Sequence, residues 1–183
     1  MKWIAVFSHT GREIVELSNA IGKKPDMVLT DNTSALSWDP HMHVNDFCIA
    51  IPFGGKPVDS INRYLRAENN AKALITLHGY MRIIPADICE ARTVYNGHPA
   101  LINYFSDLAG KDPQEKTWDN IASYPFLGSV VHRVTRTVDD PTTVTDYALV
   151  NNTCTDKKEL YNILRDTSLL AWKQFMRNYE RRN

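Results

Sequence analysis

Residues 73–85, ALITLHGYMRIIP, and residues 94–102, VYNGHPALI, decide how this chain is read. ALITL is a short apolar run closed by His78 and Gly79. The run Thr93–Tyr95 ends in Asn-Gly-His-Pro. Short apolar runs rich in β-branched residues and bounded by turn residues read as buried strands. Upstream, Val58, Ile61, Leu65 and Ala71 suggest a helix that follows an FGGKP turn and leads into ALITL. Earlier still, WIAVF (3–7), MVLT (27–30) and FCIAI (47–51) repeat the strand pattern, and 11–21 has helical spacing through Ile14, Val15, Leu17 and Ile21. Strands alternating with helices imply a parallel α/β sheet.

The second half changes character. SVVHRVTRTV and TDYALV are longer and alternate more, which suits an antiparallel extension. From Thr155 a long amphipathic helix is expected, with Leu160, Ile163, Leu164, Leu170, Ala171 and Phe175 as its buried stripe and Asp156 with Glu159 as a capping box. The expected fold is α/β: a Rossmann-like, mostly parallel sheet flanked by helices, with an antiparallel extension. At 183 residues, with no obvious linker, a single domain spanning 1–183 is the expectation.

Lys plus Arg and Asp plus Glu number 21 each, which argues against nucleic-acid binding by bulk charge. No apolar run is long enough for a membrane span. The N-terminus turns polar after Phe7, too early for a secretory signal. Cys48, Cys89 and Cys154 are far apart and outside any CxxC pattern, so reduced thiols and a cytoplasmic protein are expected. The sequence leaves the oligomeric state open.

Ligands in open α/β sheets gather beyond the carboxyl ends of the strands. SHTGREI, HGYMRIIP and NGHP each follow a strand there. As local structure NGHP needs no function, since Asn-Gly suits a tight turn. Gly11 and Arg12, at a helix start, could take an anion, although Glu13 would complement the helix dipole by itself. His132 lies in alternating strand sequence ahead of Asp139 and Asp140. A carboxylate there could orient an imidazole, while a strand ending in polar turn residues explains the same letters. His41 and His43 alternate as on one face of a strand, but no third ligand accompanies them and no metal site is assigned.

Taken in order, LITLHGYMRIIP, VYNGHPALI, GKDP and GSVVHRVTRTVDD resemble the folate-dependent formyltransferases, those acting on glycinamide ribonucleotide most closely. The motifs are Gly79-Tyr80-Met81-Arg82-Ile83, Asn96-Gly97-His98-Pro99, and Gly128 through His132, Val134, Thr135 and Asp139. The resemblance implies transfer of a formyl group from 10-formyltetrahydrofolate, the co-substrate, to a primary amine, with no metal. Asn96, His98 and Asp139 would be catalytic. Met81, Arg82, Ile83, Ile84 and Val94 would line the folate pocket, and Arg136, Thr137 and Val138 would read the pterin. Gly11, Arg12 and Pro99 would bind a small, phosphorylated amine, glycinamide ribonucleotide being the family's default. An amino sugar nucleotide or another modified nucleotide as acceptor, a deformylase and a non-catalytic folate-binding module are the alternatives.

The chain departs from the family in three places. Asp139-Asp140-Pro141 stands where the family has glycine soon after the aspartate. Ser8-His9-Thr10-Gly11-Arg12-Glu13 stands where a phosphate turn like SGxGSN is usual. The C-terminal helix has no counterpart of an acceptor-binding Glu-His pair. All three bear on substrate binding and leave the catalytic trio intact.

Overall fold

A computed structural model of the chain describes residues 2–44, 47–50 and 56–182. Two compact units divide it, Met1–Asn96 and Gly97–Asn183. The first unit holds β1 (Trp3–Phe7), α1 (Arg12–Ile21), β2 (Met27–Thr30), α2 (Pro40–Val44), β3 (Ile49–Ala50), α3 (Pro57–Arg66), β4 (Leu74–His78) and α4 (Ala86–Ala91). Strand β5 (Thr93–His98) runs across the boundary. The second unit continues with α5 (Pro113–Asp119), β6 (Phe126–Arg133), β7 (Val144–Asn151) and α6 (Lys157–Arg182). The seven-stranded sheet has the order β3-β2-β1-β4-β5-β6-β7. Pairings of β1 with β2 and β4, of β2 with β3 and of β4 with β5 are parallel, and β6 pairs antiparallel with β7.

Strand β1 has neighbours on both sides, and all five of its residues are buried, as are those of β4. A strand covered on both faces has no polar side to show, so its sequence reads as continuous apolar letters. Alternation belongs to β7, where Val144–Asn151 switches between part-buried and exposed positions up to the buried Ala148. In α1, Ile14, Val15 and Leu17 are buried as the spacing implies. The second unit is built on Leu101, Ile102, Leu108, Leu127, Leu160 and Leu164, each fully buried leucine or isoleucine stabilising by roughly 1.5–3 kcal/mol.

Four local expectations change. His41 and His43 fall in helix α2 and not on a strand. FCIAI shortens to Ile49–Ala50, with Ile51 and most of the FGGKP turn outside the described residues. The strand expected over SVVHRVTRTV ends at Arg133. On α6, Leu170 is 46% exposed, while Thr167, Ser168, Trp172 and Met176 join Leu160, Leu164, Ala171 and Phe175 in the buried set. The helix start is as expected: the Glu159 amide donates to Asp156 Oδ1 at 2.8 Å, and the Thr155 amide donates to Glu159 Oε2 at 2.8 Å.

Candidate active site

The Asn-Gly of NGHP makes no tight turn. Asn96, Gly97 and His98 continue strand β5 from Thr93, and Gly97 has no positive φ. Its reason for being glycine is packing. A Cβ at Gly97 would stand 2.5 Å from Trp172 Nε1, and Trp172 is fully buried. With that side chain absent, α6 packs directly on the strand that carries the histidine. Alternation then puts Asn96 and His98, two apart, on one face of β5.

His98 is 4% exposed, and its Nε2 lies 3.0 Å from the Leu108 carbonyl. A carbonyl only accepts, so this contact is a hydrogen bond when Nε2 carries the proton. His98 Nδ1 lies 3.4 Å from Asp139 Oδ2, and that oxygen also accepts from the Gly110 amide at 2.9 Å. The other oxygen, Oδ1, lies 3.3 Å from His132 Nε2. His132 Nδ1 is in turn 3.2 Å from the Arg133 carbonyl. One carboxylate thus stands between two buried imidazoles. A register shift between Val131 and His132 interrupts the β6–β7 ladder at this point, the kind of irregularity that re-aims a side chain.

Backbone conformation sets the carboxylate. Asp139 has φ 48°, a left-handed conformation that aspartate tolerates better than most residues at a cost of about 1–3 kcal/mol. The unusual Asp-Asp-Pro sequence has a structural use. Asp140 Oδ1 accepts from the Thr142 amide at 2.9 Å and its hydroxyl at 2.7 Å, capping the short turn Pro141–Thr143.

Electrostatics shifts His98 and Asp139 downward for different reasons. Burial lowers the His98 imidazole below its ordinary value and outweighs the raising effects of Asp139 and the Leu108 carbonyl. Burial pushes the Asp139 carboxyl up, but the hydrogen bond from His132 and the charges of His98 and His132 more than offset it, holding the carboxyl below its usual value. A neutral His98 has one N–H for two acceptors, the Leu108 carbonyl and the Asp139 carboxylate. Only the imidazolium satisfies both. His98 therefore stands one N–H short of its two acceptors, as does a neutral His132 between Asp139 and the Arg133 carbonyl.

Of the other residues expected at a site, Met81, Ile83 and Val138 are 56, 71 and 54% exposed, while Ile84 and Val94 are buried. Arg136 and Thr137 are exposed and Pro99 is half-buried. Arg82 places Nε 2.8 Å from Asp31 Oδ2. Gly11 is the residue before α1, with φ 70°, and the Arg12 guanidinium turns along the helix to Glu16 at 2.7 Å. Three groups around His98 were not assigned from sequence: the Leu108 carbonyl, the Gly110 amide and His132. Only His132 left a trace there, as a histidine seven residues before an aspartate.

A second polar chain crosses the first unit. The Trp3 indole N–H donates to Thr76 Oγ1 at 2.8 Å, Thr76 Oγ1 lies 2.9 Å from His78 Nε2, and His78 Nδ1 lies 2.7 Å from Glu13 Oε2. Each link is satisfied when the Thr76 hydroxyl donates to His78 and a neutral His78 donates to an ionised Glu13. The carboxylate in the first turn of α1 is thereby fixed.

Neither family models nor curated proteins give a match to this chain. Solved structures do. Phosphoribosylglycinamide formyltransferase from Streptococcus pneumoniae TIGR4 superposes with a TM-score of 0.76 at 19% identity, over 98% of this chain and 99% of that one. The fold is the formyltransferase fold. The enzyme of the same name from Anaplasma phagocytophilum gives 0.73 at 17% identity, over 94% of this chain and 83% of that one. A formyltetrahydrofolate deformylase from Pseudomonas syringae pv. tomato str. DC3000 gives 0.74 at 16% identity, over 96% of this chain and 60% of that one. At such identities the likeness is one of fold, and chemistry has to be argued from residues.

Proposed function

We propose that this protein is a folate-dependent one-carbon transferase that moves the formyl group of 10-formyltetrahydrofolate to a primary amine. The observation that carries this reading is the buried His98–Asp139–His132 arrangement, in which a neutral His98 has one N–H for two acceptors. The amine attacks the formyl carbon and the carbonyl electrons move to oxygen. The Asn96 amide donates to that oxyanion, a contribution often worth about 2.7–4 kcal/mol. His98 takes the proton of the attacking nitrogen and delivers it to N10 as the C–N10 bond breaks, leaving a formylated amine and tetrahydrofolate. Asp139 orients His98 and stabilises its charge. In the first unit the exposed apolar side chains of Met81 and Ile83 suit the flat face of a folate, with Arg82, Ile84 and Val94 as the further residues the resemblance names; in the second, Val138 with Arg136 and Thr137 would read the pterin as the resemblance implies.

Two acceptor classes have support. The named activity of the first two structural neighbours favours glycinamide ribonucleotide, and with it purine biosynthesis. Glu13, set in the first turn of α1 where a phosphate would sit, favours an amine with no phosphate there. Gly11, Arg12 and Pro99 belong to the acceptor side in either case. Cysteines outside any disulfide and an ordinary charge balance suit the cytoplasm, and no helix among the described residues is long and apolar enough to cross a membrane. The test is release of tetrahydrofolate from 10-formyltetrahydrofolate, with and without glycinamide ribonucleotide. Amine-dependent release supports transfer. Release without amine means deformylation, and binding without release under any amine means a folate-binding module.

A further inference from the structure

The order β3-β2-β1-β4-β5 reverses between β1 and β4: the chain moves outward from β1 to β3, then returns to the other side of β1. Open α/β sheets bind ligands beyond the carboxyl ends of the strands at such a reversal. Register places Phe7 beside both Thr30 and His78, so the residues that follow these three form one rim. The rim is tied together in advance. The Met81 amide donates to Ser8 Oγ at 3.0 Å, and Asn32 Nδ2 donates to the His9 carbonyl at 2.6 Å.

Two polar atoms in this rim are buried with no hydrogen-bond partner among the described residues: Asp31 Oδ1 and the Tyr80 phenol oxygen. The Asp31 side chain is 4% exposed and Tyr80 is 7% exposed. Buried polar atoms are paired as a rule, and these two require opposite things of a ligand. Asp31 Oδ1 needs a donor. The phenol has a proton to give, and burial together with the charge of Asp31 pushes its pKa up to about 12, so the proton stays. A hydroxyl group both donates and accepts. An ammonium cannot accept from Tyr80, and a phosphate dianion has no proton for Asp31.

Phosphate is disfavoured for a second reason. The cations closest in sequence already face carboxylates, Arg12 on Glu16 and Arg82 on Asp31. Glu13 occupies the first turn of α1 and is held there by His78. A carboxylate in that position complements the helix dipole that would otherwise attract an anion.

We propose that this rim recognises the hydroxyl groups of a sugar, with Asp31 as acceptor and Tyr80 as donor, and that the sugar carries no phosphate at the Gly11–Glu13 turn. The inference deepens the formyl-transfer reading and rests on it only in making that sugar part of the amine acceptor.

The test is calorimetric titration without folate, using glycinamide riboside and glycinamide ribonucleotide as a matched pair that differs by the phosphate. Wild type should bind the riboside at least about tenfold more tightly than the ribonucleotide. Asp31→Asn and Tyr80→Phe should each weaken the riboside by about tenfold or more, because each leaves a buried partner unmet, and thermal midpoints of both variants check that the fold is retained. Equal or tighter binding of the ribonucleotide, no binding of the riboside, or unchanged affinity in both variants overturns the proposal. Tetrahydrofolate is titrated separately: its binding without riboside binding defeats this inference alone, and riboside binding without tetrahydrofolate binding defeats the formyl-donor reading alone.

Discussion

His78 and His98 both sit beside carboxylates and differ in what their surroundings leave undone. His78, at the end of β4, stands between Thr76 and Glu13 in a chain that a neutral imidazole satisfies completely. His98, at the end of β5, faces a carbonyl and a carboxylate with a single proton available to the neutral ring. The first arrangement is closed and holds a helix start in place. The second is completed only by protonation, and its imidazole is buried enough to resist keeping a proton at rest. Pairing with a carboxylate is common to both, so pairing alone does not mark a catalytic histidine. A proton count that falls one short separates His98, with His132 beside it, from His78.

Breaking the second arrangement should have the largest effect. His98→Ala is expected to lower formyl transfer by about 10²–10⁴-fold while tetrahydrofolate binding, followed by calorimetry, persists. His78→Ala should leave a much larger share of turnover, and equal losses from the two would erase the distinction.

Packing behind the strand comes next. Gly97→Ala drives a Cβ to 2.5 Å from the buried Trp172 indole, an overpacking expected to cost about 1–3 kcal/mol in denaturant unfolding. An unchanged midpoint would show that α6 yields easily there. In the first unit, Thr76→Val removes the oxygen between Trp3 and His78. A buried indole N–H left without its partner should cost about 1–3 kcal/mol, again read from unfolding.

Acid should act on the second unit in a definite direction. The folded-state values of His98 and Asp139 both lie below their ordinary ones. Each contributes stability that is present above its unfolded value and lost as the pH falls through the folded one. Stability should therefore decline below about pH 6.5 as His98 titrates, and again in the range below about pH 4 as Asp139 does. Asp139→Asn should flatten the lower part of that decline in pH-dependent melting. The smallest effect is expected from Arg12→Ala, whose side chain is 54% exposed and paired along the helix surface. Stability should barely move, and any change in binding should be confined to the acceptor; equal weakening of acceptor and folate would remove Arg12 from the acceptor side.

Much of this was legible in the letters. Buried parallel strands announce themselves as continuous apolar runs, so WIAVF and MVLT were read to the residue. As local structure Asn-Gly reads as a tight turn, and Asn96, Gly97 and His98 are strand instead. Asn-Gly favours a turn only where nothing else explains the glycine, and here Trp172, far away in sequence, explains it. The HMH segment failed because strand and helix cannot be told apart over so few residues. The Leu108 carbonyl and Gly110 amide could not have been read at all, since backbone groups carry no letter. Asp31 and Tyr80 carry no signal in the letters for a related reason: their interest lies in the partners that one oxygen of each lacks among the described residues, which only three dimensions reveal.

The most direct measurement of the central claim is single-turnover formyl transfer by Asp139→Asn beside wild type, with tetrahydrofolate affinity determined on the same preparations. Asparagine keeps the size of the side chain and tolerates the left-handed backbone at this position. If Asp139 stabilises the charge that His98 acquires, the rate should fall by about 10²-fold or more with folate affinity little changed. A variant that transfers formyl at the wild-type rate would contradict the account.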